Sequence, residues 1–161
     1  MIIILDNIRS LFNVGSIFRT ADAAGVEKIY LCGITPTPTD RFGRIRPQLA
    51  KVSLGAERTM NWEYVESASK LINKLKKEKF KILAVEQSKK SIPYLNLRIK
   101  KSDLNKIVLI FGNEVDGISE IILKKADKIL EIPMSGKKES LNVSVSFGIV
   151  VFGLRYGNTK K

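Results

Sequence analysis

The sequence predicts an α/β protein, a parallel sheet with helices on both faces. Three observations carry that prediction. Short, apolar, β-branched runs recur at residues 2–5, 28–32, 81–86, 106–111 and 128–132. Segments between them repeat their apolar residues at helical spacing. The strand-like runs are apolar throughout rather than alternating, as strands buried on both faces must be.

Taken in order, residues 2–5 read as a strand, and residues 14–24 as a helix that Gly25 ends. Residues 28–32 form a second strand. Cys32 lies within its apolar run Ile29-Tyr30-Leu31-Cys32 and reads as a small core residue rather than a reactive one. Pro36, Pro38 and Pro47 mark a long connection without regular structure. Residues 64–79 read as a helix with Leu71, Ile72 and Leu75 inward and the lysines from 74 to 81 on its outer face. Strands at 81–86 and 106–111 follow. Ser119 suits the start of a helix running to Lys125. A strand at 128–132 and a helix at 142–155 complete the chain.

At 161 residues, the chain is long enough for one domain with a sizeable core. Its apolar fraction of 44% and mean hydropathy of −0.01 are those of a soluble globular protein. No apolar run reaches membrane-spanning length and no export signal precedes residue 2, so the cytoplasm is the expected compartment. Histidine is absent, which excludes histidine acid–base chemistry. With a single cysteine there is also no basis for a zinc site, and no metal is expected. The net charge of +12 points instead to a polyanionic partner. The strongest candidate contact is Asp40-Arg41-Phe42-Gly43-Arg44-Ile45-Arg46-Pro47, an arginine loop with an aromatic ring among turn residues. Arginine suits forked phosphate contacts and base stacking, so Arg41, Arg44, Arg46 and Lys51 are expected to bind nucleic acid.

Three polar loops each follow a strand and precede a helix, at the sheet edge where α/β proteins bind ligands. One runs through Asn13-Val14-Gly15-Ser16 to Arg19. Another is Phe111-Gly112-Asn113-Glu114-Val115-Asp116-Gly117. The third, at residues 132–146, joins an apolar strand to an apolar helix through Gly136 and Ser140-Leu141-Asn142. It is expected to be buried around a cofactor, with Gly136 allowing close approach. None matches a phosphate-binding loop or a dinucleotide fingerprint. Acids between Gly112 and Gly117 would repel a pyrophosphate, so a neutral or cationic cofactor is expected.

The segments Asn13-Val14-Gly15-Ser16-Ile17-Phe18-Arg19-Thr20-Ala21, Ile110-Phe111-Gly112-Asn113-Glu114-Val115-Asp116-Gly117-Ile118-Ser119 and Ile132-Pro133-Met134 through Ser140-Leu141-Asn142-Val143-Ser144-Val145 occur in this order. Together they resemble the SpoU (TrmH) family of RNA ribose 2′-O-methyltransferases, within the SPOUT superfamily. The resemblance implies a single SPOUT domain over residues 1–161 with a deep C-terminal trefoil knot, expected within about 106–161. It also implies a homodimer with active sites at the subunit interface. S-adenosylmethionine would lie in the knot, held around Gly112, Ile132, Ser140 and Leu141, with Gly136 relieving a crowded crossing. Arg19 matches the arginine that promotes attack by the ribose 2′-hydroxyl. A guanidinium stays protonated, which favours phosphate positioning and electrostatic help over proton removal. Whether Arg19 serves its own subunit's site or the partner's stays open. Asn13 and Asn142 would shape the site and orient Arg19, and Asn13 could also cap the first helix. Glu114 would organise the knot loop and the methionine end of the cofactor, or make a structural hydrogen bond.

The first motif strand begins at residue 2, so no separate RNA-binding domain is expected. Choice of RNA, tRNA or rRNA, would then rest on the loop from Arg41 to Lys51. Two other readings remain. One is a knotted RNA-binding dimer without methyl transfer, against which Asn13, Arg19, Glu114 and Asn142 speak. The other is a SPOUT base methyltransferase, a branch that lacks this set of three motifs.

Overall fold

The computed structural model describes residues 1–157 and the backbone of Thr159 and Lys160. In chain order the elements are β1 (Ile2–Asp6), α1 (Leu11–Ala23), β2 (Lys28–Cys32), α2 (Pro47–Ser53), α3 (Ala56–Thr59), β3 (Trp62–Val65), α4 (Ala68–Lys77), β4 (Lys81–Val85), β5 (Ile92–Pro93), β6 (Ile99–Lys100), β7 (Ile107–Phe111), α5 (Glu120–Leu123), β8 (Lys128–Glu131), α6 (Val143–Phe152) and β9 (Thr159–Lys160). Seven strands form one sheet in the order β3-β2-β1-β7-β4-β8-β5, with every neighbouring pair parallel. The short β6 and β9 pair separately, also in parallel.

The pleat of the central strands divides the core in two. Ile3, Leu5, Leu109 and Phe111 pack on one face, with Ile17 and Phe18 of α1 and Phe147, Val150 and Val151 of α6. Ile2, Ile4, Val108 and Ile110 pack on the other, with Leu71, Ile72 and Leu75 of α4 and Ile122 of α5. Helices therefore cover both faces, as the continuous apolar runs require. Cys32 is fully buried, and burial first, then the nearby Asp6, pushes its thiol up to about 12. It is an inert core group.

The elements depart from the sequence expectation where capping and edge pairing intervene. Helix α1 begins at Leu11 because the Ser10 side chain caps it, accepting from the Asn13 backbone N–H at 3.2 Å. Asn13 is thus inside the first turn, not the cap. The proline-rich connection is partly ordered, since Pro47 opens α2 and α3 follows. Residues 62–65 are not helical. Trp62-Glu63-Tyr64-Val65 is a half-buried edge strand beside β2, and α4 starts at Ala68 under a Ser67 cap. The outer lysines of α4 are exposed, as the helical spacing requires. Helix α5 is a single turn without a side-chain cap from Ser119. Helix α6 starts at Val143 and continues as a π turn over Gly153–Gly157. Among the described residues no helix is long and apolar enough to cross a membrane.

Phe111 and Phe147 join sheet to α6, with ring centroids 5.2 Å apart and both side chains essentially inaccessible. Replacing Phe147 with alanine should cost about 3–5 kcal/mol, read from the midpoint of urea denaturation at constant slope.

Candidate functional site

The loops after β7 and β8 meet the start of α1 where β1, β7 and β8 run out; the segment from Asn13 to Arg19, expected as a third loop, lies within α1 because Ser10 caps the helix earlier. The Glu114 side chain lies against the start of α1. Its Oε2 accepts from the Arg9 backbone N–H at 3.0 Å, and its Oε1 from the Ser10 N–H at 3.3 Å and Asn13 Nδ2 at 2.8 Å. Asn142 Nδ2 donates to Asn13 Oδ1 at 3.1 Å. The other end of the Asn142 amide caps α6, accepting from the Ser144 N–H at 2.9 Å and Oγ at 2.6 Å. One hydrogen-bonded chain thus links a residue from each motif. Burial pushes the Glu114 carboxyl upward, but its donors, the Arg9 N–H and Asn13 amide foremost, outweigh this. They hold it below its ordinary value of 4.5, so it is ionised at neutral pH.

The loop carrying Glu114 is held from several sides. Asn113 Oδ1 accepts from the N–H groups of Val115 and Asp116, and Asn113 Nδ2 donates to the Asn7 carbonyl at 2.9 Å. Glu86 Oε2 accepts from the Ile118 N–H at 2.8 Å. Arg9 reaches Asp116 at 3.5 Å across the mouth. Gly112 has no room for a side chain: a Cβ there would come within 2.5 Å of Ile118 Cγ1 and 2.6 Å of the Gly117 backbone. Gly117, at φ +67°, turns the chain back over it.

Above the ends of β4, β7 and β8 lies a cavity of about 520 Å³, within the range of small-molecule sites. Gly112, Glu114, Ile132, Ser140, Leu141 and Asn142 line it, as the sequence motifs suggest. Every charged residue of its lining is a carboxylate: Glu86, Glu114, Asp116, Glu131 and Glu139 take part beside uncharged polar groups, and no lysine or arginine does. In a chain of net charge +12, that segregation suits a cationic ligand better than an anionic one. Glu86 and Glu131 were not singled out from sequence. Their available signal was position, since each closes an apolar strand at the ligand-binding edge.

Other site residues lie apart. Arg19 is exposed on α1, about 9 Å along the helix from Asn13, and makes no hydrogen bond or ion pair among the described residues. Asn142 donates to Asn13 and Asn13 to Glu114, and among the described residues neither asparagine bonds to Arg19. Arg41 and Arg44 stand on an exposed hairpin, Arg46 is half-buried at the start of α2, and Lys51 is exposed on α2. None lines the cavity. The loop at 135–142 is exposed rather than buried. A Cβ at Gly136 would meet only open space, so the crowding expected there occurs at Gly112 instead. Among the described residues no cluster of three or more His, Cys, Asp or Glu could hold a metal ion.

The chain is similar to known proteins over almost its whole length. A family model described as the SpoU rRNA Methylase family matches residues 1–152. The chain is 32% identical over 156 residues to the tRNA (guanosine(18)-2'-O)-methyltransferase of Aquifex aeolicus, covering 94% of this chain and 67% of that protein. It is 32% identical over 152 residues to the 23S rRNA (guanosine-2'-O-)-methyltransferase RlmB of Neisseria meningitidis serogroup B, covering 94% and 56%. The crystal structure of an AdoMet-bound rRNA methyltransferase from Sinorhizobium meliloti superposes with a TM-score of 0.81 at 27% identity, covering 96% and 55%. The chain thus spans between about half and two thirds of the length of these proteins.

Because folding lowers the Glu114 pKa, its contribution to stability is present above the unfolded value and lost as pH falls through the folded one. Between about pH 6 and pH 3, Glu114→Gln should start from a lower Tm than wild type but lose less of it. Parallel losses in the two proteins would remove Glu114 as the latch.

Proposed function

The chain belongs to the SpoU rRNA methylase family, and from that membership we propose that it is an S-adenosylmethionine-dependent methyltransferase acting on a ribose 2′-hydroxyl of tRNA or rRNA. The observation that carries this reading is the acid-lined cavity of a basic protein, closed by a hydrogen-bonded chain through all three motifs. When bound, S-adenosylmethionine supplies a methyl group on a cationic sulfur, open to in-line attack by an oxygen nucleophile. The five carboxylates suit that cation and repel a dinucleotide pyrophosphate. Ile132 and Leu141 offer apolar walls for an adenine, while the main chain at Gly112 and Ser140 offers polar groups to its edge.

Asn13 and Asn142 keep the mouth in register with α1, and Glu114 locks that register. Arg19 supplies a permanent positive charge for the phosphate beside the target ribose and for the 2′-oxygen as it loses its proton. Arg41, Arg44, Arg46 and Lys51 hold the RNA farther from the reacting atoms.

The reading extends to a trefoil knot within residues 106–161. Its support is that β8 follows β4 and β5 in sequence yet lies between them, while the chain then returns to pack α6 against α1. It extends also to a homodimer. Helix α6 is apolar around its circumference, which suits a helix buried on all sides. Yet Val145 is 48% exposed and Phe152 40%, and Phe12 on the adjoining α1 is 54% exposed. A second copy is the natural cover for these residues. Arg19 lies seven residues from Phe12, on the same stripe of α1. Pairing through that face would direct Arg19 towards the partner's site. The compartment proposed is the cytoplasm.

Calorimetry should show one S-adenosylmethionine bound per subunit, and an RNA-binding module without methyl transfer need not bind it. Arg19→Ala should retain that binding while transfer to cellular RNA falls about 10²–10³-fold, scored by mass spectrometry of alkali-resistant dinucleotides. Loss of both would make Arg19 structural. Phe152→Glu should halve the molar mass measured by light scattering; an unchanged mass would remove the α1–α6 face as the dimer contact.

A further inference from the structure

The hairpin at residues 39–45 is braced far more firmly than a connecting loop requires. Thr39 and Ile45 form an antiparallel bridge, and the Arg46 N–H donates to the Pro38 carbonyl at 2.9 Å. Asp40 is the hub. Its Oδ1 accepts from the N–H groups of Phe42 at 2.8 Å and Arg44 at 3.0 Å, and its Oδ2 accepts from Arg44 Nε at 3.0 Å. In the main chain, Asp40 N–H donates to the Arg44 carbonyl and Gly43 N–H to the Asp40 carbonyl. This bracing presents one ring to solvent. Phe42 is 65% exposed, with the guanidinium carbons of Arg41 and Arg44 at 4.7 and 5.0 Å from its centroid.

Resting on the reading of this protein as an RNA methyltransferase, we propose that Phe42 is a stacking platform for an unpaired base of the RNA, with Arg41 and Arg44 gripping the flanking phosphates. The ring has no packing role, since it belongs to neither core. An exposed cation–aromatic contact is weaker than a base stacked on an aromatic ring. An arriving base therefore displaces a guanidinium, which stays charged and tethered and turns to a phosphate. Asp40 has already ordered the tip, so little freedom is lost on binding. Both faces of a base inside a duplex are covered by its neighbours, so only a loop, bulge or strand end can use the ring. The hairpin thereby selects for single-stranded elements, which a purely electrostatic patch would not do.

The test compares two RNAs of equal length, a stem–loop with 2-aminopurine in the loop and a full duplex, titrated at several salt concentrations without S-adenosylmethionine. Wild type should prefer the stem–loop. Phe42→Leu should lose about tenfold of stem–loop affinity with duplex affinity, salt slope and Tm unchanged. Phe42→Trp should keep the affinity and quench the 2-aminopurine. Removing Arg41 and Arg44 together should weaken both RNAs and lower the salt slope by about two. A Phe42→Leu protein that binds the stem–loop as wild type does, or that loses both RNAs equally, overturns the stacking role. A wild type that binds neither RNA overturns the RNA reading itself.

Discussion

The site depends on one chain of hydrogen bonds, from Asn142 to Asn13 to Glu114 and on to the backbone of Arg9 and Ser10. Its links join residues 129 and 101 positions apart in sequence. Each member also secures its own element. Asn142 caps α6, Ser10 caps α1 through the Asn13 N–H, and the Glu114 loop is pinned by Asn113 and Glu86. Moving one loop would break several of these bonds at once, each of modest worth because its groups stand exposed to water. The three segments therefore adopt one mutual position, and the cavity beside them has a defined shape.

Charge is divided around that cavity. The surface carries the excess of lysine and arginine, whereas the lining carries five carboxylates and no base. Long-range attraction thus acts on a polyanion outside, and short-range attraction on a cation within. The two partners of the proposed reaction, RNA and S-adenosylmethionine, have those opposite signs. Arg19 lies in neither set. It stands exposed on α1, without a hydrogen bond or ion pair among the described residues.

Much of this was legible beforehand where a residue's role depends on near neighbours in sequence. The five core strands were evident because β-branched runs buried on both faces need no alternation. The inner face of α4 was evident from Leu71, Ile72 and Leu75. Edge strand β3 was not, because Trp62-Glu63-Tyr64-Val65 runs directly into a helical pattern and only the Ser67 cap separates them. Asn13 looked like a cap because its type suits one, but the cap position is settled by which side chain meets the first free N–H, and Ser10 does so. Gly136 looked like the crowded glycine of the site. Crowding is a property of the surroundings, and it falls on Gly112, beneath Ile118 and Gly117.

The amino-acid sequence by itself determined the fold class, the motif residues and the sign of the outer charge, since apolar period, residue type and composition are all local quantities. Tertiary structure decided that Glu86 and Glu131 line the same cavity as Glu114, that Asn142 bonds to Asn13, and that Arg19 stands away from both. These are distances between segments distant in sequence, set by the order in which parallel strands pair. No run of neighbouring residues encodes that order.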